Sequence, residues 1–488
     1  MNRCGRYSLL IRNGRIVDIN PSAQTLISLY PGAGVVDARD RIVIPGFINA
    51  HFHGESVLLR LMTRRAPFGS WNAHQGLRSA LARLLDPSAA PDVAALYGIA
   101  GILHLRSGTT TVAGYPAPYT PAVLQGAVNA IAGAGIRFMI ALQSWDQIEG
   151  FRSSPTGPGG CSISLGPEEG YTVYSLENFV RVSAETQFPL AAHIGETRAE
   201  TDALRGRFKK SPLRILKDSG ALVPGTHLIH CNHIPENDLD LLGAGANPLT
   251  LCIRSALAKQ TGYPLLRSLA SRDVALCLGT DWGDTDLLAE IGALRNLRRY
   301  VSGVPAYEPL ELMRMATING AHALGIASQT GSLEVGKHAD LVMIAFDDVR
   351  LPSLSANPPA EEIAELITDY CDTGMISDVM VQGVFGVRNR EAVRVDEKEM
   401  LRNFRQIQGM YIPAVSAEHH GERFTGVPLA SSDRNGKAPL FGQGEAEDDS
   451  ARERKANMTP PGPASGESQQ KFPVVTKKIS KVFGEDDI

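Results

Sequence analysis

The chain has 488 residues, of which 43% are hydrophobic and 20% charged, and a formal net charge of −4 at pH 7. A net charge this close to zero gives no electrostatic reason to expect nucleic acid or an anionic membrane surface as the main partner. We find no apolar stretch of the length needed to cross a bilayer and no pattern typical of a secretory signal. The six cysteines are scattered without CxxC pairs, which favours buried small side chains in a reducing, cytoplasmic compartment.

From residue 41 to residue 281 the chain repeats one pattern, a short apolar or β-branched run followed by a turn and a longer stretch with helical spacing. Stretches 91–107 and 175–187 are examples of the predicted helices. The predicted strands are 41–53, 108–114, 136–142, 161–167, 188–194, 226–231, 247–253 and 274–281. Eight strands alternating with helices predict an α/β fold, a parallel (β/α)8 barrel. An open doubly wound sheet would need a glycine-rich phosphate turn after its first strand, and the sequence has none there.

Two flanks rich in short strands and turn glycines are each too short to form a comfortable core alone. We therefore predict one small composite β-domain from residues 1–44 and 331–395, beside a hydrolase barrel at 45–330. Residues 396–488 are predicted to be a closing segment followed by a tail. From about residue 412 the tail is rich in Pro, Gly and Ser, so we expect it to be disordered.

Five polar residues fall at the carboxyl ends of predicted barrel strands, where catalytic groups of such barrels cluster. They are His51 and His53 in PGFINAHFHG, His193 in AAHIGET, His230 in LIHCNH and Asp281 in LGTDW. Residues two apart on a strand point to the same face, so the first two imidazoles should converge. By the same alternation, His227 should face away from the barrel interior.

Three imidazoles and one carboxylate suit a single divalent ion with a position left for water, whose pKa the ion lowers. We predict the ligands of this single divalent ion to be His51, His53, His193 and Asp281. Glu196 lies just beyond a strand end and is the predicted proton carrier. His230 is either a fourth imidazole at the ion or a group that stabilises the developing oxyanion, and we favour the second role.

The connection after the first barrel strand contains APFGSWNAH and should lie over the barrel mouth. Trp71 and His74 are candidates for contacting a planar substrate there. The alternative is a hydrophobic cluster beneath a long loop. Asp284 and Asp286, in DWGDTD, are interpreted as loop and helix-capping carboxylates rather than ligands.

These motifs, together with the later TINGAHALGI and GSLEVGKHADLVMI, resemble the metal-dependent amidohydrolase superfamily in order along residues 5–392. The nearest branch is that of cytosine deaminase and of the chlorohydrolases and deaminases acting on triazines and adenosine analogues. The resemblance implies a barrel with a composite β-domain, one zinc or iron ion bound by the residues above, and a homo-oligomer, a dimer or larger. The fourth predicted strand, CSISLGP, carries no lysine of the kind that bridges two metals.

The sequence departs from that branch around the substrate. The branch has a Pro-x-Ser-Asn motif after its seventh strand, whereas CIRSALAKQ places Ile253 and Ala256 at the proline and asparagine positions. Arg254 in this stretch is a candidate for contacting an anionic or carbonyl-bearing substrate. The acidic residue common after the GTTTV strand is replaced by Gly114.

The leading functional hypothesis is hydrolytic deamination of an amino-substituted, planar N-heterocycle, a small molecule. The same centre can also open a cyclic amide or displace chloride, and the sequence separates these reactions poorly. A third hypothesis, from a different class, is a non-catalytic scaffold that binds a protein partner through its C-terminal tail.

Overall fold

Strands and helices alternate regularly through the middle of the chain. The computed structural model describes residues 4–63, 68–152, 160–166, 171–243, 245–300, 305–355, 357–412 and 474–475. The strands in these ranges are β1 (Cys4–Gly5), β2 (Ser8–Arg12), β3 (Arg15–Asn20), β4 (Arg41–Pro45), β5 (Phe47–Phe52), β6 (Thr109–Gly114), β7 (Arg137–Leu142), β8 (Cys161–Ser164), β9 (Leu190–Ile194), β10 (His227–His230), β11 (Leu249–Leu251), β12 (Leu276–Leu278), β13 (Leu341–Ala345), β14 (Ile376–Val381), β15 (Val384–Arg388), β16 (Glu391–Ala392) and β17 (Val474–Val475).

The helices in the same ranges are α1 (Ala23–Leu29), α2 (Ser56–Thr63), α3 (Gln75–Leu84), α4 (Ala90–Arg106), α5 (Pro121–Gly133), α6 (Trp145–Arg152), α7 (Val173–Thr186), α8 (Arg198–Phe208), α9 (Pro212–Asp218), α10 (Ile253–Lys259), α11 (Leu266–Ala270), α12 (Leu287–Tyr300), α13 (Pro309–Met315), α14 (Ile318–Ala323), α15 (Ala360–Tyr370) and α16 (Glu397–Tyr411). Short 3₁₀ helices are Phe68–Ala73, Pro87–Ala89, Glu236–Leu242 and Thr373–Met375. Most of the predicted tail, residues 413–470, lies outside the described residues, so its disorder stays a prediction.

The eight strands β5 to β12 form one parallel sheet in which each strand pairs with its neighbours in the sequence. The sheet closes between its first and last strands. A parallel bridge joins Phe52 to Asp281, and the backbone N–H groups of Thr280 and Asp281 both donate to the carbonyl of His51 at 2.9 Å. The predicted (β/α)8 barrel is therefore confirmed, and its closure occurs beside three of the predicted site residues.

The segment predicted as a first strand at 41–53 is two strands, so that prediction was wrong in one respect. β4 pairs antiparallel with β13 outside the barrel, whereas β5 pairs with β6 inside it. Gly46 separates them and lies so close to Thr110 that a Cβ at this position would clash with that side chain. A continuous apolar run does not show where the chain passes from one sheet to another.

Both ends of the chain contribute to the second sheet region, as predicted. β4 pairs with β13, and β13 continues through β14, β15 and β16. The hairpin of β2 and β3 joins this region through a hydrogen bond from Ile16 N to Lys337 O, 2.9 Å long. β17, from the predicted tail, pairs with β1 and β4. The composite β-domain is confirmed, and its precise boundaries at 44/45 and 330/331 stay predictions.

Helix α4 is unusually apolar. Together with the 3₁₀ helix that precedes it, α4 forms a helical stretch, Pro87–Arg106, that is long and apolar enough to cross a membrane by length and composition, contrary to the expectation from the sequence. However, 56% of its most apolar window is buried inside the protein. The buried positions include Val93, Leu96 and Ala100. Core packing against neighbouring helices accounts for such a composition, which makes it weak evidence for a membrane span.

A buried ion pair connects the barrel to the β-domain. Nη1 of Arg137, at the start of β7, donates to Oδ2 of Asp340 at 2.6 Å, and the two side chains are 0% and 1% exposed. Thr330 Oγ1 donates to the same oxygen, and Gln382 N donates to the other one at 2.7 Å. Because the surroundings are dry, removal of one partner leaves an uncompensated buried charge.

We predict that Arg137→Met destabilises the protein by about 3–5 kcal/mol, since Asp340 would be left as an unpaired buried carboxylate. The matched control is Arg295→Met, which breaks a partly exposed pair with Asp369 whose side chains are 24% and 23% exposed. That change should cost less than about 1 kcal/mol. Thermal and urea unfolding of both variants measures the difference, and equal losses would contradict the special role of the buried pair.

Candidate metal centre and active site

The predicted ligand side chains converge at the carboxyl end of the barrel. His51 Nε2 lies 3.2 Å from His193 Nε2 and 3.3 Å from Asp281 Oδ1. His53 Nε2 lies 3.3 Å from the same carboxylate oxygen. Ligand atoms of His51, His53 and His193 lie within 4.8 Å of one another, as do those of His51, His230 and Asp281.

The backbone at this end is strained at two of these residues. His230 has φ 77° and Asp281 has φ 52°, values that side chains other than glycine rarely adopt and that cluster at functional sites. The reversal at His230 breaks strand alternation at the end of β10. His227, predicted to face away from the barrel interior, instead contacts Thr250 Oγ1 at 2.5 Å and Tyr115 OH at 3.5 Å. Its neighbour Tyr115 packs on the ring of His51, so that prediction was wrong.

The donor set fits a divalent cation. Asp281 Oδ1 is buried without a hydrogen-bond partner although it faces two ring nitrogens. Burial, followed by the neighbouring imidazoles, lowers the pKa of His193 well below its ordinary value. Burial likewise holds the pKa of His51 well below its ordinary value, despite the opposing effect of Asp281. Neutral rings present lone pairs, so nitrogen and oxygen donors suited to a single zinc-like ion face one point.

Glu196 lies beside this donor set. Its side chain is 10% exposed, and Oε2 is 3.6 Å from His230 Nε2. Asn232 Nδ2 donates to the backbone carbonyl of Glu196 at 3.2 Å, which fixes the turn after β9. The buried His230 Nε2 has no hydrogen-bond partner, so it is available to a bound molecule. The structure thus brings together all six residues predicted as ligands or catalytic groups, and their individual roles stay predictions.

Lys259, at the end of α10, is a member of the site that sequence reasoning missed. Nζ donates to Glu196 Oε1 at 2.7 Å and to Asp281 Oδ2 at 2.5 Å, and the side chain is 4% exposed. Burial alone would lower the pKa of Lys259, but the charges of Asp281 and Glu196 outweigh it and raise the pKa. The available signal was a lone lysine four residues after Ser255 in the apolar run IRSALAK, since residues at this spacing share a helix face.

An aromatic wall, formed by Phe68, Trp71 and Trp282, covers these charged groups. Trp282 stacks on His53 with a centroid distance of 5.3 Å, and Trp71 meets Trp282 edge-on at 5.2 Å. Lys259 Nζ lies 4.9 Å from the ring centre of Phe68 and 5.6 Å from that of Trp71. Trp71 therefore reaches the predicted site. Trp282 was overlooked, although it directly follows Asp281 in the sequence.

His74 and Arg254, the two other residues predicted to contact substrate, both make contacts within the protein. His74 is the N-cap of α3, and its Nδ1 accepts a hydrogen bond from Leu77 N at 3.1 Å. Arg254 Nη1 pairs with Asp284 Oδ1 at 2.7 Å. The capping interpretation holds for Asp286, whose Oδ1 accepts from Ala289 N at 3.0 Å in the first turn of α12. Substrate contact by His74 and Arg254 stays a prediction.

The family model for the amidohydrolase family matches residues 42–385, more than half of the chain. This chain belongs to the amidohydrolase family. It is 29% identical over 425 residues to the 5-methylthioadenosine/S-adenosylhomocysteine deaminase of Teredinibacter turnerae, an alignment covering 82% of this chain and 91% of that protein. The deaminase of the same name from Symbiobacterium thermophilum is 30% identical over 376 residues, with 72% and 82% covered.

The fold also matches solved structures. An adenosine deaminase from Xanthomonas campestris with bound zinc aligns with a TM-score of 0.70 at 20% identity, covering 84% of this chain and 99% of that one. The predicted superfamily is confirmed. The prediction of a hydrolase acting on carbon–nitrogen bonds other than peptide bonds is also confirmed, as is the prediction of hydrolytic deamination of an N-heterocycle. The amidohydrolase family is metal-dependent, in agreement with the predicted metal centre.

Glu290, on α12, supports the start of the helix that carries Ser255 and Lys259. Its Oε2 accepts a hydrogen bond from Arg254 N at 3.1 Å, and the residue is 1% exposed. Burial raises the pKa of Glu290 to about 8, because the hydrogen bond and the charge of Arg254 offset it only in part. A carboxyl group in this position is protonated more readily in the folded protein than in the unfolded chain.

We predict that Glu290→Gln flattens the pH dependence of stability. The unfolded chain releases this proton near the ordinary value of 4.5 and the folded protein near 8, so the native protein loses free energy of unfolding as pH rises between these values. Glutamine retains an acceptor for Arg254 N but does not titrate. Urea unfolding of both proteins at pH 5, 6, 7 and 8 measures the effect, and parallel pH curves would refute it.

Proposed function

We propose that the protein hydrolytically deaminates the adenine ring of a nucleoside of the 5-methylthioadenosine or S-adenosylhomocysteine type. The observation that carries the proposal is the convergence of His51, His53, His193 and Asp281 on one point, with Glu196 and His230 beside it. The substrate class is supported by the names of relatives whose alignments span most of both chains.

We assign one divalent cation, zinc in preference to iron, to His51, His53, His193 and Asp281. The ring nitrogens and the unpartnered Asp281 Oδ1 supply the donors. A cation held there supplies a Lewis acid that lowers the pKa of a water molecule and stabilises developing negative charge. Asp281 is also a predicted catalytic residue, and hydrogen bonds from Ser255 and Lys259 to its second oxygen hold the carboxylate in place.

Glu196 carries protons between water and substrate. In the net reaction, the C–N bond to the exocyclic amine breaks, a C–O bond from water forms, and the amine leaves as ammonia. Glu196 Oε2 accepts one proton as water attacks the ring carbon and passes it to the ring nitrogen. It then transfers the second proton of that water to the amine, which leaves as ammonia. His230 Nε2, which has no hydrogen-bond partner, stabilises the oxygen that becomes anionic.

The aromatic wall provides the surface for a planar base. Trp71 and Trp282 lie edge-to-face at 5.2 Å beside His53, and an adenine ring can stack on such faces. Their proximity also excludes water from the carboxylates, which strengthens the electrostatic contacts inside the site.

Three further assignments are part of this proposal. A cytoplasmic location is supported by the burial of Cys161, Cys231, Cys252 and Cys277, which suits small apolar side chains. Homo-oligomerisation follows from the sequence resemblance. A partner for the C-terminal tail is proposed from composition alone, since residues 413–473 and 476–488 lie outside the described residues.

We predict that Glu196→Gln lowers kcat by about 10²–10⁴-fold, the range typical of a lost general acid–base group. Metal content should stay near that of the unmodified protein, because Glu196 is not assigned as a ligand. Glu200→Gln is the matched control, since Glu200 caps α8 with an oxygen that glutamine also provides. Kinetics and elemental analysis of both variants test the role, and turnover retained by Glu196→Gln would overturn it.

We predict release of ammonia from 5-methylthioadenosine and S-adenosylhomocysteine by the metal-loaded protein, with an oxygen replacing the amine in the product mass. Chelation of the metal should abolish this activity, and added zinc should restore it. The panel includes adenosine, guanine, cytosine and an aminotriazine. Simple addition of water to a cyclic amide would indicate ring opening instead, and no product from any adenine compound would refute the substrate class.

A further inference from the structure

Lys259 links the two carboxylates to which the proposed function gives different tasks. Its Nζ is 2.7 Å from Glu196 Oε1 and 2.5 Å from Asp281 Oδ2. Each carboxylate therefore has one oxygen held by the ammonium and one oxygen directed elsewhere. Asp281 Oδ1 faces His51 and His53 at 3.3 Å, and Glu196 Oε2 faces His230 at 3.6 Å.

The ion pair between Lys259 and Asp281 is held from several directions. Ser255, four residues earlier on α10, also donates to Asp281 Oδ2, at 2.7 Å. The helix ends directly after Lys259, because Gln260 adopts the left-handed conformation with φ 59°. On another side lie the rings of Phe68 and Trp71, whose faces attract a cation. An ammonium with these contacts is pre-organised rather than mobile.

Charge balance gives this arrangement a consequence for the cation site. With neutral imidazoles, the negative charges near the ion come from Asp281 and Glu196. The ammonium cancels one of these two charges and does so on the oxygens turned away from the histidines. Two carboxylates this close would otherwise repel each other, and either could turn both of its oxygens toward a cation.

We propose that Lys259 is a positioning residue that fixes Asp281 as a one-oxygen ligand and keeps Glu196 off the metal. The inference rests on the proposed function of this site. Lys259 takes one oxygen from each carboxylate, so that Asp281 presents only Oδ1 to the cation and Glu196 presents only Oε2 to the reacting atoms. In this proposal, α10 supplies a charged side chain to the site. The same helix carries Ile253 and Ala256 where the Pro-x-Ser-Asn motif has its proline and asparagine.

The test replaces Lys259 by Met, which keeps length and apolar contact but removes the charge. We expect kcat to fall about 100-fold, comparable to the loss of one pre-organised donor, with KM changed much less and about one metal per chain retained. In protein loaded with cobalt instead of zinc, the visible absorption bands should shift, because a released Asp281 or Glu196 adds an oxygen to the coordination. Ser255→Ala, which leaves the ammonium in place, should cause a smaller fall in kcat.

Further variants separate positioning from folding. Leu257→Ala alters the 49% exposed side chain of a residue in α10 and should leave the cobalt spectrum and kcat unchanged. Lys259→Arg keeps the positive charge and should preserve more of both readouts than Lys259→Met. In Lys259→Ala, added ethylamine should restore part of the turnover by supplying an ammonium, and it should not rescue Ser255→Ala.

Several results would overturn the inference. They are an unchanged cobalt spectrum together with kcat within threefold in Lys259→Met, loss of the metal from that variant, or equal losses in Lys259→Arg and Lys259→Met. If Lys259→Met does not fold, the comparison of Lys259→Arg with amine-treated Lys259→Ala decides. Since the cobalt spectrum requires no substrate, it reports on Lys259 even if the unmodified protein proves not to deaminate adenine compounds.

Discussion

The carboxylate of Asp281 is the point on which the rest of this structure depends. Its backbone closes the barrel by bonding to the carbonyl of His51, and its two oxygens have different surroundings. Oδ1 faces imidazoles, while Oδ2 is held by Ser255 and Lys259. Burial alone would raise the pKa of Asp281, but Lys259 and the neighbouring imidazoles of His51 and His53 keep it well below its ordinary value. One residue thus joins barrel closure, the candidate metal site and the ion pair with Lys259.

Much of this arrangement could be predicted because parallel barrels place their strand ends together. His51, His53, His193, His230 and Asp281 each follow a recognisable apolar run, and the fold then decides that they meet. The strand alternation failed only where the backbone departs from a regular strand. At His230 the backbone has a φ of 77°, so its side chain does not point to the face that strand alternation predicts. No local sequence pattern indicates such a change in backbone conformation.

Other members of the site could not be predicted in the same way. Lys259 lies on a helix rather than at a strand end, and a lysine after an apolar helical run is usually solvated. Only the long-range contact with Glu196, 63 residues away in the sequence, reveals its task. His74 shows the opposite difficulty, because a histidine in a loop over the barrel mouth proved to cap a helix. Residue type and position do not distinguish these two situations.

The closure of the barrel has a consequence for how the centre forms during synthesis. His51 lies on the first barrel strand and His53 directly follows it. The bridge from Phe52 to Asp281 joins this strand to the turn that follows the last barrel strand. A growing polypeptide therefore displays its earliest imidazoles long before their carboxylate partner leaves the ribosome. The complete set of candidate ligands is therefore assembled only after the final barrel strand has docked, so formation of the site depends on the most distant pairing of the barrel.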